Sequence, residues 1–261
     1  MVTGKAVSYA WLPGGRGVRI IKCLMPNNMN IKFSSKFPKL TVINNRDKFL
    51  QEYVKGKTVL HGGCVDSELL GERIATKLLL HDILDTTAKR LVGVDVDEEG
   101  INEMKRKGYK DVYYADLESW NYDENFDVIV LGEIIEHIDN CGLFLQSVKR
   151  FCHPDTTVIF TTPNNYYFLF WVYSIFGKES IHPDHNYLFS FNSIKSLLGK
   201  FSFDVIDNIV VWEKVDFTRV NDTAFTRAKK KIAALLLNSI HLIKHIFPQY
   251  GKGMVIIAKR A

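Results

Sequence analysis

Apolar residues recur at helical spacing from Arg46 to Val54, and Lys57-Thr58-Val59-Leu60 then reads as a short strand ending in Gly62-Gly63. A helical period returns from about Ser67 to Leu84. Leu91-Val92-Gly93-Val94-Asp95 has the unbroken apolar character of a buried strand. A helix follows from Glu98 to Lys107 and a third strand from Asp111 to Ala115. Strands alternating with helices predict a parallel sheet with right-handed crossovers.

The rhythm continues with a fourth strand, Phe126 to Leu131, a helix from about Cys141 to Phe151, and a fifth strand, Thr157 to Thr162, which Pro163 ends. After an aromatic stretch come a helix near Ser193 to Lys200, a strand near Phe203 to Val211, a basic amphipathic helix from about Thr226 to Ile246, and a closing strand, Met254 to Ala258. The expected fold class is α/β: a Rossmann-like, doubly wound sheet, mainly parallel, with an antiparallel C-terminal strand. Residues 1–44 show weak periodicity, with breaks at Pro13-Gly14-Gly15 and Pro26-Asn27-Asn28, and are read as a loosely ordered extension of the domain at 45–261. Met29 opens more ordinary composition, so residues 1–28 are expected to be dispensable for the fold.

Composition narrows the function. At 261 residues, 46% hydrophobic and 24% charged, the chain can bury one sizeable core. Its formal charge of +5 is spread over 34 basic and 29 acidic residues, without the concentrated basic stripe of a nucleic-acid binder. Cys23, Cys64, Cys141 and Cys152 lie far apart, in neither a metal-ligand spacing nor a disulfide framework, and predict reduced thiols in a cytoplasmic protein. The N-terminus lacks the apolar core of a secretory signal.

A glycine-rich turn after the first strand lets backbone approach a ligand, and an acid at the end of the second can accept ribose hydroxyls. Gly62, Gly63 and Asp95 hold those places. Asp116, just after the third strand, adds an acid that suits an adenine amino group; capping of the turn before Leu117 is its plain alternative.

Through Val59-Leu60-His61-Gly62-Gly63-Cys64, Val94-Asp95-Val96, Ala115-Asp116-Leu117 and, most specifically, Phe126 to Ile138, the chain resembles the class I S-adenosylmethionine-dependent methyltransferases, in their small-molecule branch. The resemblance spans roughly residues 45–212. It continues through Thr161-Thr162-Pro163-Asn164 and His182-Pro183-Asp184-His185, as in members associated with glycan and secondary-metabolite clusters. It implies S-adenosylmethionine as cofactor, with Gly63 at its methionine end, Asp95 at the ribose, Val96, Asp116 and Leu117 at the adenine, and Gly132 and Glu133 at the sulfonium side. One departure stands out. Where the family has an acid and three alternating glycines, this chain has His61, Gly63, Val65 and Ser67. Asp66 or Glu68 can replace the missing acid or cap the next helix.

Methyl transfer needs a positioned acceptor and, for a hydroxyl, a group that removes its proton. His182 and His185 follow the fifth strand, where an acceptor-covering segment belongs, and His185 is ranked first; pinning of the loop is the alternative. His137 is read as a packing or cofactor-side residue. A set of His182, His185 and a nearby acid matches no strong metal-ligand spacing, and no metal is assigned. The stretch Tyr166 to Phe176, within a lid insertion near 164–190, is read as a core lid helix; with the basic helix it also permits peripheral membrane contact.

The leading expectation is O-methylation of a small polar acceptor such as a sugar or glycan precursor. A methyltransferase-like binding or scaffold protein is the alternative, on the evidence of Val65 and Ser67. A nicotinamide-dependent dehydrogenase is disfavoured, because the glycine fingerprint is broken and Asp95 lies beyond the usual ~20-residue separation.

Overall fold

A computed structural model describes residues 36–261, apart from 68, 121, 123, 215–222, 240, 241 and 243. Most of the expected N-terminal extension, together with Cys23 and Glu68, therefore lies outside the described residues. The fold is that of the unit Phe37–Ala261.

Eight strands form one sheet: β1 (Thr41–Ile43), β2 (Thr58–Gly62), β3 (Arg90–Asp95), β4 (Val112–Tyr114), β5 (Val128–Gly132), β6 (Thr157–Pro163), β7 (Phe203–Val211) and β8 (Gly253–Arg260). Their order is β1-β7-β8-β6-β5-β2-β3-β4. The C-terminal strand β8 runs antiparallel to both β6 and β7, and the other pairings are parallel. β2 lies between β3 and β5, so chain order reverses there and opens a crevice at the strands' carboxyl ends.

Alternation along the central strands sorts side chains to two faces. Leu60, Val92, Ile129, Leu131 and Phe160 meet α5 (Cys141–Arg150) and α7 (Phe191–Lys200) through Phe144, Val148, Ile194 and Leu198. Val59, Val128, Val130 and Ile159 face the other way, onto Leu50 and Val54 at α1 (Arg46–Tyr53). Each such fully buried aliphatic or aromatic side chain contributes about 1.5–3 kcal/mol. Side-chain caps set three helix starts: Asn45 accepts from Lys48 N before α1, Asp97 from Gly100 N before α4 (Glu98–Arg106), and Asn140 from Gly142 and Leu143 N before α5.

Four expectations change. Residues 41–43, placed in the extension, form edge strand β1 beside β7, too short to show a period. The helix expected from Ser67 to Leu84 is divided into α2 (Leu70–Thr76) and α3 (Leu80–Asp85) by Lys77 at φ +54°. The apolar run Leu78-Leu79-Leu80 disguises the break. The aromatic segment does form α6 (Phe168–Ile175), but none of its residues is fully buried, and Trp171 is 56% and Ile175 79% exposed, so it is no core helix. The basic helix, α8 (Ala224–Asn238), ends earlier than expected. No helix among the described residues is long and apolar enough to cross a membrane.

Candidate functional site

A cavity of about 700 Å³ opens at the carboxyl ends of the central strands. Gly63, Asp95, Val96, Asp116, Leu117, Gly132 and Glu133 all line it, and His182 and His185 line it as well. Gly62 does not. It stands behind the wall, where an added Cβ would fall 2.6 Å from Leu117 Cδ1 and 2.9 Å from Leu131 Cδ2, so its lack of a side chain serves packing.

Gly63 takes φ +69°, and a Cβ there would lie 2.8 Å from Ile134 Cγ1. Its backbone can thus approach a ligand where a side chain would intrude. The loop beyond it answers the missing glycines. Val65 avoids positive φ and donates its N–H to Asp95 Oδ2 at 2.8 Å. Its side chain packs on α4, at the spot a Cβ of Gly100 would occupy, 2.4 Å away. Ser67 donates to Asp97 Oδ2 at 2.7 Å. Glycine at position 100 in effect makes room for the valine at 65.

Asp95 Oδ1 accepts from Asp97 N at 3.0 Å, so each carboxylate oxygen holds one backbone N–H and keeps capacity for another donor. Burial pushes the Asp95 carboxyl up from its ordinary range, and the N–H groups of Val65 and Asp97 act against that. Asp116 both lines the cavity and caps its turn, accepting from Glu118 N at 2.8 Å. Asp66 caps no helix: α2 begins after Leu69, and the Asp66 carboxylate pairs with Arg73 at 2.7 Å.

At the end of β5, Glu133 adopts φ +52°, a conformation that L residues enter at a cost. Thr161 holds it there, donating through Oγ1 to Glu133 Oε1 at 2.9 Å, and Arg46 Nη1 donates to the same oxygen at 3.2 Å. Arg46, from the start of α1, brings a cation to the cavity that sequence patterning did not single out. Only the fold brings positions 46 and 133 together.

Beyond Glu133 the chain turns, with His137 N bonded to Ile134 O, and delivers Glu136 and His137. Glu136 is fully buried; burial, and then the Glu133 charge, push its carboxyl well above the ordinary range. His137 belongs to a histidine cluster, its ring centroid 4.6 Å from that of His185 and 6.0 Å from that of His182. Of the two roles expected for it, packing or cofactor-side, its place on the cavity wall agrees with the second. Burial, then the neighbouring His137 and His182, hold the His185 imidazole below its usual pKa, which keeps a lone pair available at neutral pH. His182 Nδ1 accepts from Asp184 N at 3.3 Å, a loop-pinning bond. The aromatic helix α6 does not line the cavity.

An open sheet with a glycine turn and acids at neighbouring strand ends, all facing one cavity, is the arrangement in which doubly wound α/β proteins bind their ligands. A family model for the methyltransferase domain matches residues 42–208, and the chain belongs to that family, within the class I methyltransferases. It is 24% identical over 159 residues to a probable S-adenosylmethionine-dependent methyltransferase of Mycolicibacterium smegmatis, covering 60% of this chain. The chain spans 56% of that curated relative's length. In fold it is similar to a methyltransferase crystal structure from Archaeoglobus fulgidus, with a TM-score of 0.50, 16% identity, and coverage of 82% of this chain and 92% of that one.

Proposed function

We propose that this chain is a working S-adenosylmethionine-dependent methyltransferase that methylates an oxygen of a small polar acceptor, such as a sugar or glycan precursor. The observation that carries this reading is one continuous cavity joining the cofactor-type strand ends at Gly63, Asp95 and Asp116 to the histidines at 137, 182 and 185. The residues fit the cofactor: Gly63 has the bare, positive-φ backbone that close approach requires, and Asp95 keeps acceptor capacity for ribose hydroxyls. Val96, Asp116 and Leu117 would hold the adenine, and Gly132 and Glu133 the sulfonium side. When bound, the cofactor supplies a methyl group on a cationic sulfur.

The protein's own work is positioning and proton handling. Three imidazoles and Asp184, rather than the aromatic helix, share the cavity lining, which favours a polar acceptor. His185 is the group set to meet the acceptor hydroxyl, since His182 is engaged with its own loop. The buried thiols of Cys64, Cys141 and Cys152, in no disulfide among the described residues, support a reducing, cytoplasmic setting.

Calorimetric titration of S-adenosylhomocysteine tests the cofactor half. Asp95→Ala should weaken binding by about tenfold to a hundredfold, the loss of a charge-assisted hydrogen bond worth roughly 1.5–3 kcal/mol. Unchanged affinity in a folded Asp95→Ala protein overturns the assignment. His185→Ala should lower turnover by about 10²–10⁴ with that affinity intact, and His182→Ala by less. If the parent protein turns over no member of a broad panel of sugars and nucleotide sugars, the binding or scaffold alternative replaces this one.

A further inference from the structure

Glu136 is the least expected group in the protein. Its side chain is fully buried, and among the described residues neither carboxylate oxygen has a hydrogen-bond partner of good geometry, although Thr162 and Glu133 stand close to it. Such a group is costly unless something positive completes it. Arg46, the nearby cation, is directed to Glu133 and Asp47 instead. Beside Glu136, at the cavity wall, stand His137 and His185. One donor atom from each of the three lies within 4.8 Å of the others.

The two segments are fastened to each other by backbone. Asn186 N and Tyr187 N both donate to Glu136 O, at 2.8 and 3.1 Å, and the Asn186 side chain donates to His137 O and Asp139 Oδ1, each at 2.9 Å. His137 has its tautomer set. Its Nδ1 lies 3.0 Å from Asp184 O, and because a carbonyl only accepts, Nδ1 carries the proton and Nε2 carries the lone pair. A histidine oriented by donating one ring N–H to a carbonyl is the usual arrangement of a metal ligand.

We propose that Glu136, His137 and His185 bind one divalent transition-metal cation at the cavity wall, with its open coordination positions directed to an acceptor hydroxyl. Two imidazoles and a carboxylate suit manganese, cobalt, iron or zinc better than magnesium or calcium, which favour oxygen-rich sets. Donors around such a cation stand roughly 3–3.5 Å apart, given ligand distances of about 2.1 Å. The present donors lie within 4.8 Å of one another, so binding requires the exposed His137 and half-buried His185 rings to rotate inward. The set differs from the one weighed in the sequence: Glu136 and His137, from the turn after β5, stand where His182 and an unnamed acid were considered. The inference rests on reading this cavity as the acceptor site, and it makes His185 a ligand that positions the hydroxyl.

The test uses the full chain, stripped with a chelator and titrated calorimetrically with manganese, cobalt, zinc and magnesium chlorides, with cobalt also followed by visible absorption. One equivalent of manganese, cobalt or zinc should bind in preference to magnesium. Glu136→Gln and His185→Ala should each weaken binding at least about tenfold, and His182→Ala should change it little. Saturating manganese should raise the melting temperature of the parent and leave that of Glu136→Gln nearly unchanged; a purely structural carboxylate would leave the metal-dependent rise intact in both. Absence of metal binding at millimolar concentration, or binding untouched by Glu136→Gln and His185→Ala, overturns the inference. S-adenosylhomocysteine titration in parallel separates the two readings: cofactor without metal sinks this inference alone, and metal without cofactor sinks the methyltransferase reading alone.

Discussion

Acidification should loosen this protein through a pair of histidines buried beneath the sheet's carboxyl end. His61 on β2 and His81 on α3 are 1% and 4% exposed, with their Nδ1 atoms 3.2 Å apart. One must donate and the other accept, so the bond needs at least one neutral ring, and burial makes charging either ring costly. Burial lowers the His81 pKa to about 4. Burial, then His81 and Arg46, lower that of His61 well below its ordinary value. Tyr109 is the other ring against His81, with centroids 6.0 Å apart.

Unfolded histidines titrate near 6.5, so below that pH the unfolded chain takes up protons that the folded chain refuses. The stability contributed by the neutral pair is therefore fully present above pH 6.5 and is lost as pH falls toward 4. For His81 the full loss is about 3 kcal/mol, and about 2 kcal/mol is gone by pH 5, with His61 adding in the same direction. Urea unfolding followed by circular dichroism at pH 7, 6 and 5 measures it, with His61→Leu/His81→Leu as the reference. The double substitution removes both partners together, leaves no orphaned donor, and retains the other titrating groups, Glu136 included, so the difference between the two curves isolates the pair. Because His61 also lines the cavity, S-adenosylhomocysteine affinity should fall over the same range in the parent. Parallel stability curves for the parent and the double variant from pH 7 to 5 would refute the argument.

Two further substitutions probe the scaffold. Gly63→Ala must hold φ +69° with a Cβ 2.8 Å from Ile134; it should destabilise by about 1–3 kcal/mol in urea and weaken S-adenosylhomocysteine binding, whereas Gly71→Ala, with open space at its Cβ, should be neutral or stabilising. Asn164→Ala removes a fully buried amide that donates to Gln249 O and Gly251 O, each at 2.7 Å, and should cost about 2–4 kcal/mol; Asn164→Asp should not rescue it, because an ionised carboxylate cannot donate.

The legible part of this fold is the local part. Strands β2, β3, β5 and β6 appear in the sequence as short apolar runs bounded by turn residues, because a strand buried on both faces needs little else. The acids at 95 and 116 were legible as strand-end residues, and both line the cavity. The α2–α3 break was not, because Lys77 in the left-handed region leaves no mark in an apolar period. Nor was the compensation at Val65, which depends on the absence of a side chain at Gly100, thirty-five positions onward.

The histidine cluster shows the same limit in its sharpest form. Positions 182 and 185 invite attention because they share one tetrapeptide, and that proximity suggested a base and its neighbour. Their surroundings come from elsewhere: Glu136 and His137 belong to the turn after β5, and the bonds from Asn186 and Tyr187 to Glu136 O bring the two segments together across some fifty residues of chain. A spacing rule applied to either segment alone finds two candidates and no site. The turn nonetheless carried a local sign. Glu133, Glu136 and His137 place three polar groups within five residues of a strand that is otherwise apolar, at the end of the sheet where ligands bind. Glu133 is accounted for by Arg46 and Thr161, and His137 Nδ1 by Asp184 O. Among the described residues the Glu136 carboxylate is left without a hydrogen-bond partner of good geometry. The two imidazoles beside it have lone pairs to share, so the question the fold leaves at this wall is which cation completes them.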